Sequence, residues 1–338
     1  MKGVTILRKL LFVYLILIGV FVVYVYQYQS ENTSNNQWSE HELRGTIDEN
    51  YVMVTFQSGI DYWKRALKGF EDAAEALNVS VEYRGATQYD VNEQITVLEQ
   101  VIAKKPAGIA VSAMDPDALN DVINKAVEAG IPIVAFDSNA PESKVFSFLG
   151  TDNYYAGVTA AHKMAELLNG AGEIGIVTHP KQLNHKERTK GFRETIAKEY
   201  PKMNIVSIQD GRGDQMTSKE VVDEMIGKFP NLKGVFASEA NGGVGVGQSI
   251  LEQQKKGEIH IISFDTDKGT LDMVDEGVIS ATLAQGTWKM GYWSLQYLFH
   301  LQHGLAENME VGRSLPRYVD TGITIVTQEN VEAFYPNE

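Results

Sequence analysis

Short runs of apolar and β-branched residues alternate with helix-period stretches along most of this chain, and that alternation leaves few folds open. The runs are YVMVTF from Tyr51, VSVEYR from Val79, GIAVS from Gly108, IPIVAF from Ile131, EIGIVT from Glu173, NIVSIQ from Asn204, GVFAS from Gly234, IHIISF from Ile259 and SATLA from Ser280. Between them, helical spacing is predicted over Tyr62 to Asn78, Asn92 to Lys104, Pro116 to Ala129, Tyr154 to Leu168, Lys186 to Glu199 and Thr217 to Lys228. A further helix ends at Gln254, and a short one precedes SATLA. Strands with no polar face must be covered on both sides, so the pattern reads as parallel sheets with helical crossovers. The fold class expected is doubly wound α/β, with enough strands for two sheets.

An internal echo supports two similar lobes. Gly108 to Ser138 and Gly234 to Thr266 each run strand, helix, strand and end in Phe-Asp-Ser or Phe-Asp-Thr. Ser112 and Asp137 stand 25 positions apart in the first copy, Ser238 and Asp265 stand 27 apart in the second. Ligands of such sheets meet the C-terminal ends of the strands, so each lobe would offer one aspartate to a shared cleft.

The glycines of VFASEANGGVGVGQ, from Val235, come after a strand and open a helix, but their spacing fits neither a dinucleotide fingerprint nor a phosphate-binding P-loop. Their expected role is to begin a helix where exposed N–H groups meet a ligand or the opposite lobe. A net charge of −14 without a basic block argues against nucleic acid. Cysteine is absent, which excludes disulfides, thiolate metal sites and a cysteine nucleophile.

Lys2, Arg8 and Lys9 precede LLFVYLILIGVFVVYVY, an uncharged run from Leu10 to Tyr26. It is just long enough to cross a bilayer, and the positive flank places the chain beyond Tyr26 outside the cytoplasm. A cleaved signal peptide competes with this reading, but Tyr28, Gln29 and Glu31 occupy the region where small residues would mark cleavage. The expected organisation is a cytoplasmic stretch 1–9, a transmembrane anchor 10–28 and a polar tether 29–48.

Asp137 and Asp265 allow three readings: the acid and base of a glycosidase, acceptors for sugar hydroxyls, or helix N-caps. Tyr62 and Trp63 open the first helix, where aromatic rings stack on a sugar or pack in the core. Asp265, Asp267 and Glu276 imitate a calcium loop, but Gly269 and Thr270 break its pattern. His300 and His303 lack the glutamate of a zinc-binding helix and read as surface residues. The GRGD stretch from Gly211 reads as a turn. No metal site and no cofactor are expected.

In this order, YWKRALKGFEDAAEALN, VSAMDPDAL, AGIPIVAFDS, GTDNYYAG, KERTKGF, GVFAS, ISFDT and SATLAQG resemble the ribose/galactose-type periplasmic sugar-binding proteins. The resemblance runs from Tyr51 to about Val326 and implies the type I periplasmic binding protein fold, two lobes joined by a hinge. It implies lobes of 49–152 with 285–319 and of 153–284 with 320–338, hinged near Asn153, Gln285 and Asp320. The family's stacking aromatics fall on Tyr62 and Trp63, its hydroxyl-binding aspartates on Asp137 and Asp265, and its arginine on Arg188. Its hinge glutamine falls on Gln285. Departures are Ser138 for an arginine, Ser112 and Glu239 where asparagine is frequent, and Gly213 nearest a missing third aromatic. These departures put ribose itself in doubt and leave another pentose or a hexose. The resemblance implies an extracytoplasmic monosaccharide-binding protein rather than an enzyme. Its partner would be a membrane histidine kinase or the permease of an ATP-binding-cassette (ABC) importer, with a glycosidase as the rival of a different class.

Overall fold

A computed structural model describes Tyr14 and residues 17–24, 43–305, 307–308 and 313–335. Met1–Gly45 and Thr46–Glu338 are separate compact units. In the first, Tyr14 and residues 17–24 are helical, while the rest of the expected anchor and the tether up to residue 42 lie outside the described residues. Among the described residues no helix is long and apolar enough to cross a membrane.

The larger unit contains two six-stranded sheets. The first is built from β1 (Asn50–Thr55), β2 (Ser80–Gly85), β3 (Gly108–Val111), β4 (Ile133–Phe136), β5 (Phe148–Gly150) and β13 (Tyr318–Asp320). Its order is β13-β5-β4-β3-β1-β2, with every pairing parallel. The second holds β6 (Ala171–Thr178), β7 (Lys202–Asp210), β8 (Leu232–Ala237), β9 (His260–Phe264), β10 (Ala281–Gln285) and β14 (Ile323–Val326). Its order, β14-β10-β9-β8-β6-β7, repeats the first, except that β14 runs antiparallel to β10. A small hairpin, β11 (Glu307–Asn308) with β12 (Arg313–Ser314), stands apart. The central strands β3 and β4 are buried at every residue, whereas the edge strands β2 and β7 are largely open. That burial gradient explains why the central runs are the most apolar.

Helices α1 (Tyr62–Leu77), α2 (Val91–Ala103), α3 (Pro116–Glu128) and α9 (Thr287–Gln302) cover the first sheet. Helices α4 (Asn153–Leu167), α5 (Leu183–Glu199), α6 (Gln215–Lys228), α7 (Gly242–Glu252) and α8 (Lys268–Asp275) cover the second. Aspartates set five of these starts: Asp90, Asp115, Asp152, Asp214 and Asp267 each accept a backbone N–H of the first turn. The GRGD stretch is accordingly a turn ending in the cap Asp214.

Sequence periodicity misses α9, β5, β13 and β14. TWKMGYWSLQYLFHLQ is apolar or aromatic over most of its circumference, which blurs its helical period, and the strands have only three or four residues.

Each lobe contains an equivalent close helix crossing. A Cβ on Gly69 of α1 would lie 2.0 Å from the Trp288 carbonyl oxygen, and one on Gly291 of α9 would lie 1.8 Å from that of Ala66. The second lobe repeats this: Gly157 of α4 would meet the Arg188 oxygen at 2.0 Å, and Gly191 of α5 the Tyr154 oxygen at 2.1 Å. Lys68-Gly69-Phe70 and Lys190-Gly191-Phe192 are thus equivalent, each sending a fully buried phenylalanine into its core. We expect Gly157→Ala to lower stability by about 1–3 kcal/mol through forced separation of α4 and α5. Gly227→Ala, at a helical position with open space around it, should gain about 0.5 kcal/mol. Urea unfolding of both variants checks the contrast.

Candidate ligand-binding cleft

The C-terminal strand ends of both sheets face a cleft with about 500 Å³ of atom-free space. Strand ends bring the chain there in unusual conformations. Gln57, Asp137, Arg212 and Asp265, each one or two residues past a strand, have φ of 44°, 60°, 57° and 70°. Aspartate tolerates this left-handed region better than most side chains, and such strain collects at functional positions. The conformation also excludes the capping reading of both aspartates. Asp265 leaves the cap of α8 to Asp267, and the segment after Asp137 enters β5 rather than a helix.

Arg188 is the centre of the site, at 1% exposure. It projects from α5, its Nε donating to Asn153 Oδ1 at 2.8 Å, Nη1 to the Ser238 carbonyl at 3.0 Å and Nη2 to Gln285 Oε1 at 2.8 Å. Its guanidinium carbon sits 4.0 Å from the ring centre of Phe264. Gln285 passes the network on. Its Nε2 donates to Asp265 Oδ1 at 2.7 Å and to the Tyr62 hydroxyl oxygen at 3.2 Å. The Tyr62 hydroxyl donates to Asp137 Oδ1, and Ser112 Oγ donates to Asp137 Oδ2 at 2.9 Å. Residues drawn from both sheets therefore form one connected hydrogen-bonded chain.

Three chain crossings between the sheets lie side by side beneath this network. Thr151 Oγ1 donates to Gln285 Oε1 at 2.7 Å, and the Asp152 N–H to Asp320 Oδ1 at 3.1 Å. The Gly286 N–H donates to the Gly322 carbonyl at 3.2 Å, and a Cβ on Gly286 would lie 2.4 Å from the Thr321 carbonyl oxygen.

Tyr62, Trp63, Asp137, Arg188, Glu239, Asp265, Gln285 and Gly213 all line the cleft. Ser112 and Ser138 do not: Ser112 supports Asp137 from behind, and Ser138 is buried with its hydroxyl unpaired. Trp63 is chiefly a core residue, 2% exposed, with Nε1 bonded to the Phe56 carbonyl and its ring edge-on to Phe56 and Phe136. Sequence reasoning misses Tyr89, His179, Gln182 and His185, which line the same cleft. The signal available was position after a strand end, shared by Tyr89 (after β2) and His179 (after β6) with Asp137 and Asp265.

The glycines of α7 begin a helix after a strand end, as expected, and have a packing part as well. The helix starts beside the cleft at Asn241, but a Cβ on Gly245 would lie 2.1 Å from the Gln215 carbonyl oxygen. Gly245 thus permits close packing against α6, while Gly243 lies against Ser263 of β9 and Gly247 against Met273 of α8. His300 is half-buried and His303 exposed, bonded to the Gln296 carbonyl and to Glu49 respectively. Among the described residues no cluster of metal-ligating side chains occurs.

Burial pushes Glu239 up to about 7, reinforced by Asp210. It pushes Asp265 up to about 7 against the opposing pull of Arg188 and Gln285. Asp137 is also raised by burial, with Tyr62 and Arg188 opposing. Burial, with Arg188 and His179 nearby, holds His185 well below the usual histidine range, so its ring is neutral and its Nδ1–H faces the Ser238 carbonyl at 2.9 Å. A carboxyl that binds its proton more tightly folded than unfolded supports folding at low pH, and that support is lost as pH rises through about 7. Each pKa unit is worth about 1.4 kcal/mol. The ligand-free protein should therefore lose stability between pH 5 and pH 8. Glu239→Gln should flatten part of that loss, as read from urea midpoints across the range; an unchanged profile removes Glu239 from this account.

A hinged, two-lobed α/β fold with a polar interlobe cleft defines a ligand-trapping protein of the type I periplasmic binding protein class. Residues 51–305 match the family described as the periplasmic binding protein domain, and the chain belongs to that family. Its resemblance to the ribose-type sugar-binding proteins is borne out by its relatives. A sugar ABC transporter sugar-binding protein from Bacillus halodurans is 66% identical, with a TM-score of 0.79 over 85% of this chain and 100% of that one. An arabinose-binding protein from Geobacillus stearothermophilus is 64% identical, with a TM-score of 0.78 over 85% of this chain and 99% of that one. The D-ribose/D-allose-binding protein of Pseudomonas aeruginosa is 26% identical over 70% of this chain and 75% of its own length. These are sugar-binding proteins and not enzymes, so the glycosidase reading is set aside.

Proposed function

We propose that the cleft closes on a single neutral monosaccharide, a pentose or a hexose, outside the cytoplasm. The observation that carries this is the buried chain from Arg188 through Gln285 to Asp265, Tyr62 and Asp137. Sugar hydroxyls both donate and accept, and the network offers both complements: carboxylates on Asp137, Asp265 and Glu239, a guanidinium on Arg188. Tyr62 supplies aromatic surface for the sugar ring, with Trp63 packed behind it. Closure bends the chain at the crossings near Asn153, Gln285 and Asp320, with the lobes 49–152 plus 285–319 and 153–284 plus 320–338 moving as bodies. Arabinose heads the panel of sugars to test, on the strength of the 64% identical arabinose-binding relative.

A sugar that binds only the folded protein adds about 2.7 kcal/mol of stability at a hundredfold excess over its Kd. Full-length protein in detergent should therefore melt higher with one or a few of arabinose, ribose, xylose, galactose and glucose. Asp137→Ala and Asp265→Ala should each weaken binding by about 2 kcal/mol, since a charged acceptor is lost from a buried hydroxyl. A panel without any shift defeats the sugar reading, and turnover of the sugar defeats the binding reading.

The basic flank and apolar run Leu10 to Tyr26 make this a single-pass protein with its lobes outside, tethered by residues 29–48. Delivery to an ABC permease is supported by the description of the 66% identical relative. A second partner, a membrane histidine kinase, is favoured by the tether, which raises the local concentration of the lobes for a protein in the same bilayer. The protein should stay in the membrane fraction after a high-salt wash, and mass spectrometry should find its N-terminus intact. Sugar-dependent capture of the kinase's extracellular domain supports that second partner; sugar uptake through a permease without a kinase response decides for the importer.

A further inference from the structure

The sugar reading leaves one wall of the cleft unexplained. His179 comes directly after β6, lines the cleft and is 5% exposed, yet its Nε2 has no hydrogen-bond partner. Its other nitrogen, Nδ1, lies 3.1 Å from Asp210 Oδ1, and the same oxygen accepts the Arg212 backbone N–H at 2.8 Å. A carboxylate only accepts, so Nδ1 carries a proton, and Nε2 is the ring nitrogen left to meet a ligand. The ring packs edge-on against Tyr89 from the first lobe, centres 5.0 Å apart, and lies 6.3 Å from His185. Neither contact supplies Nε2 with a donor. A buried polar atom without a partner is costly, and few survive in folded proteins without a purpose.

We propose that His179 is a specificity-determining residue: its Nε2 accepts a hydrogen bond from one hydroxyl of the bound sugar. The inference rests on the sugar reading and adds the position at which that sugar is checked. In the second sheet β8 separates β9 from β6, so the strand ends carrying Asp265 and His179 lie roughly 10 Å apart. A six-membered sugar ring with a hydrogen bond of about 2.8 Å at either end spans a distance of that order. Asp265 and His179 therefore hold opposite ends of one ring, and a sugar lacking the hydroxyl at the His179 end leaves Nε2 unpaired. Asp210 acts through His179 as a positioning residue, because it fixes which nitrogen carries the proton.

The test uses the full-length protein, the panel sugar giving the largest melting shift, and that sugar's single-deoxy analogues, with affinities from calorimetry. One deoxy analogue should bind wild type about tenfold more weakly, the size of a single hydrogen bond, and His179→Leu should bind that analogue and the parent sugar equally. Losses at the other positions should be unchanged in His179→Leu. His179→Gln, which keeps an acceptor and serves if the leucine variant fails to fold, should retain part of the discrimination. Equal weakening of every analogue in the variants, or none, assigns His179 a packing role and overturns the inference while sugar binding stands. Failure of every panel sugar to bind wild type overturns the sugar reading, and this inference with it.

Discussion

A guanidinium exposed to only 1% cannot be left without acceptors, and the architecture of the cleft is a consequence of satisfying Arg188. Its acceptors come from the start of α4, the end of β8 and the end of β10, so these elements have to meet where α5 delivers the charge. Phe264 closes the remaining face. The carboxyls of Asp137 and Asp265 contribute the compensating negative charge, and their own burial raises their pKa values despite Arg188. One cation thus couples the hinge glutamine to aspartates from both lobes. Removing it would leave two buried carboxyls without the opposing charge that holds their pKa values down.

The doubly wound topology makes that convergence possible. In each lobe the chain starts in mid-sheet, steps out to an edge strand and returns through the centre, creating a switch point where loops diverge. Asp137 and Asp265 occupy corresponding loops of the two sheets. The repeated Lys-Gly-Phe helices cross their neighbours at backbone contact, and this fixes α1 and α5 against their sheets. Tyr62 and Arg188 are therefore borne on the same element of each half, although one is aromatic and the other cationic. Symmetry sets where the side chains sit and leaves their chemistry free to differ.

Gln285 ties a crossing between the sheets to the cleft network, bonding to Thr151, Arg188, Asp265 and Tyr62. Any change of angle between the lobes must alter some of these bonds, and any ligand that replaces one of them biases the angle. Arg65 adds a contact at the mouth, reaching Thr266 Oγ1 at 3.1 Å and the Phe334 carbonyl at 3.4 Å from the far side of the cleft.

Sequence alone determined the elements whose burial is lopsided enough to leave a pattern: the central strands, the amphipathic helices and the repeated Phe-Asp ends. Strand-end order also pointed to Asp137 and Asp265, and the start of the first helix to Tyr62, while the resemblance to the sugar-binding family supplied Arg188 and Gln285. The aromatic helix α9 stayed hidden, since a helix apolar on most sides has no periodic contrast. Whether an aspartate caps a helix or faces a cleft was also undecidable from spacing; the backbone at φ 60° and 70° settled it. That Gly245 of α7 lies against the backbone of α6 was likewise invisible in the sequence. Tyr89 and His179 follow strand ends, but that they line one cleft with Gln182 is decided only by the approach of the two lobes. That approach is a long-range contact, and no local pattern of residues encodes which loops will meet across it.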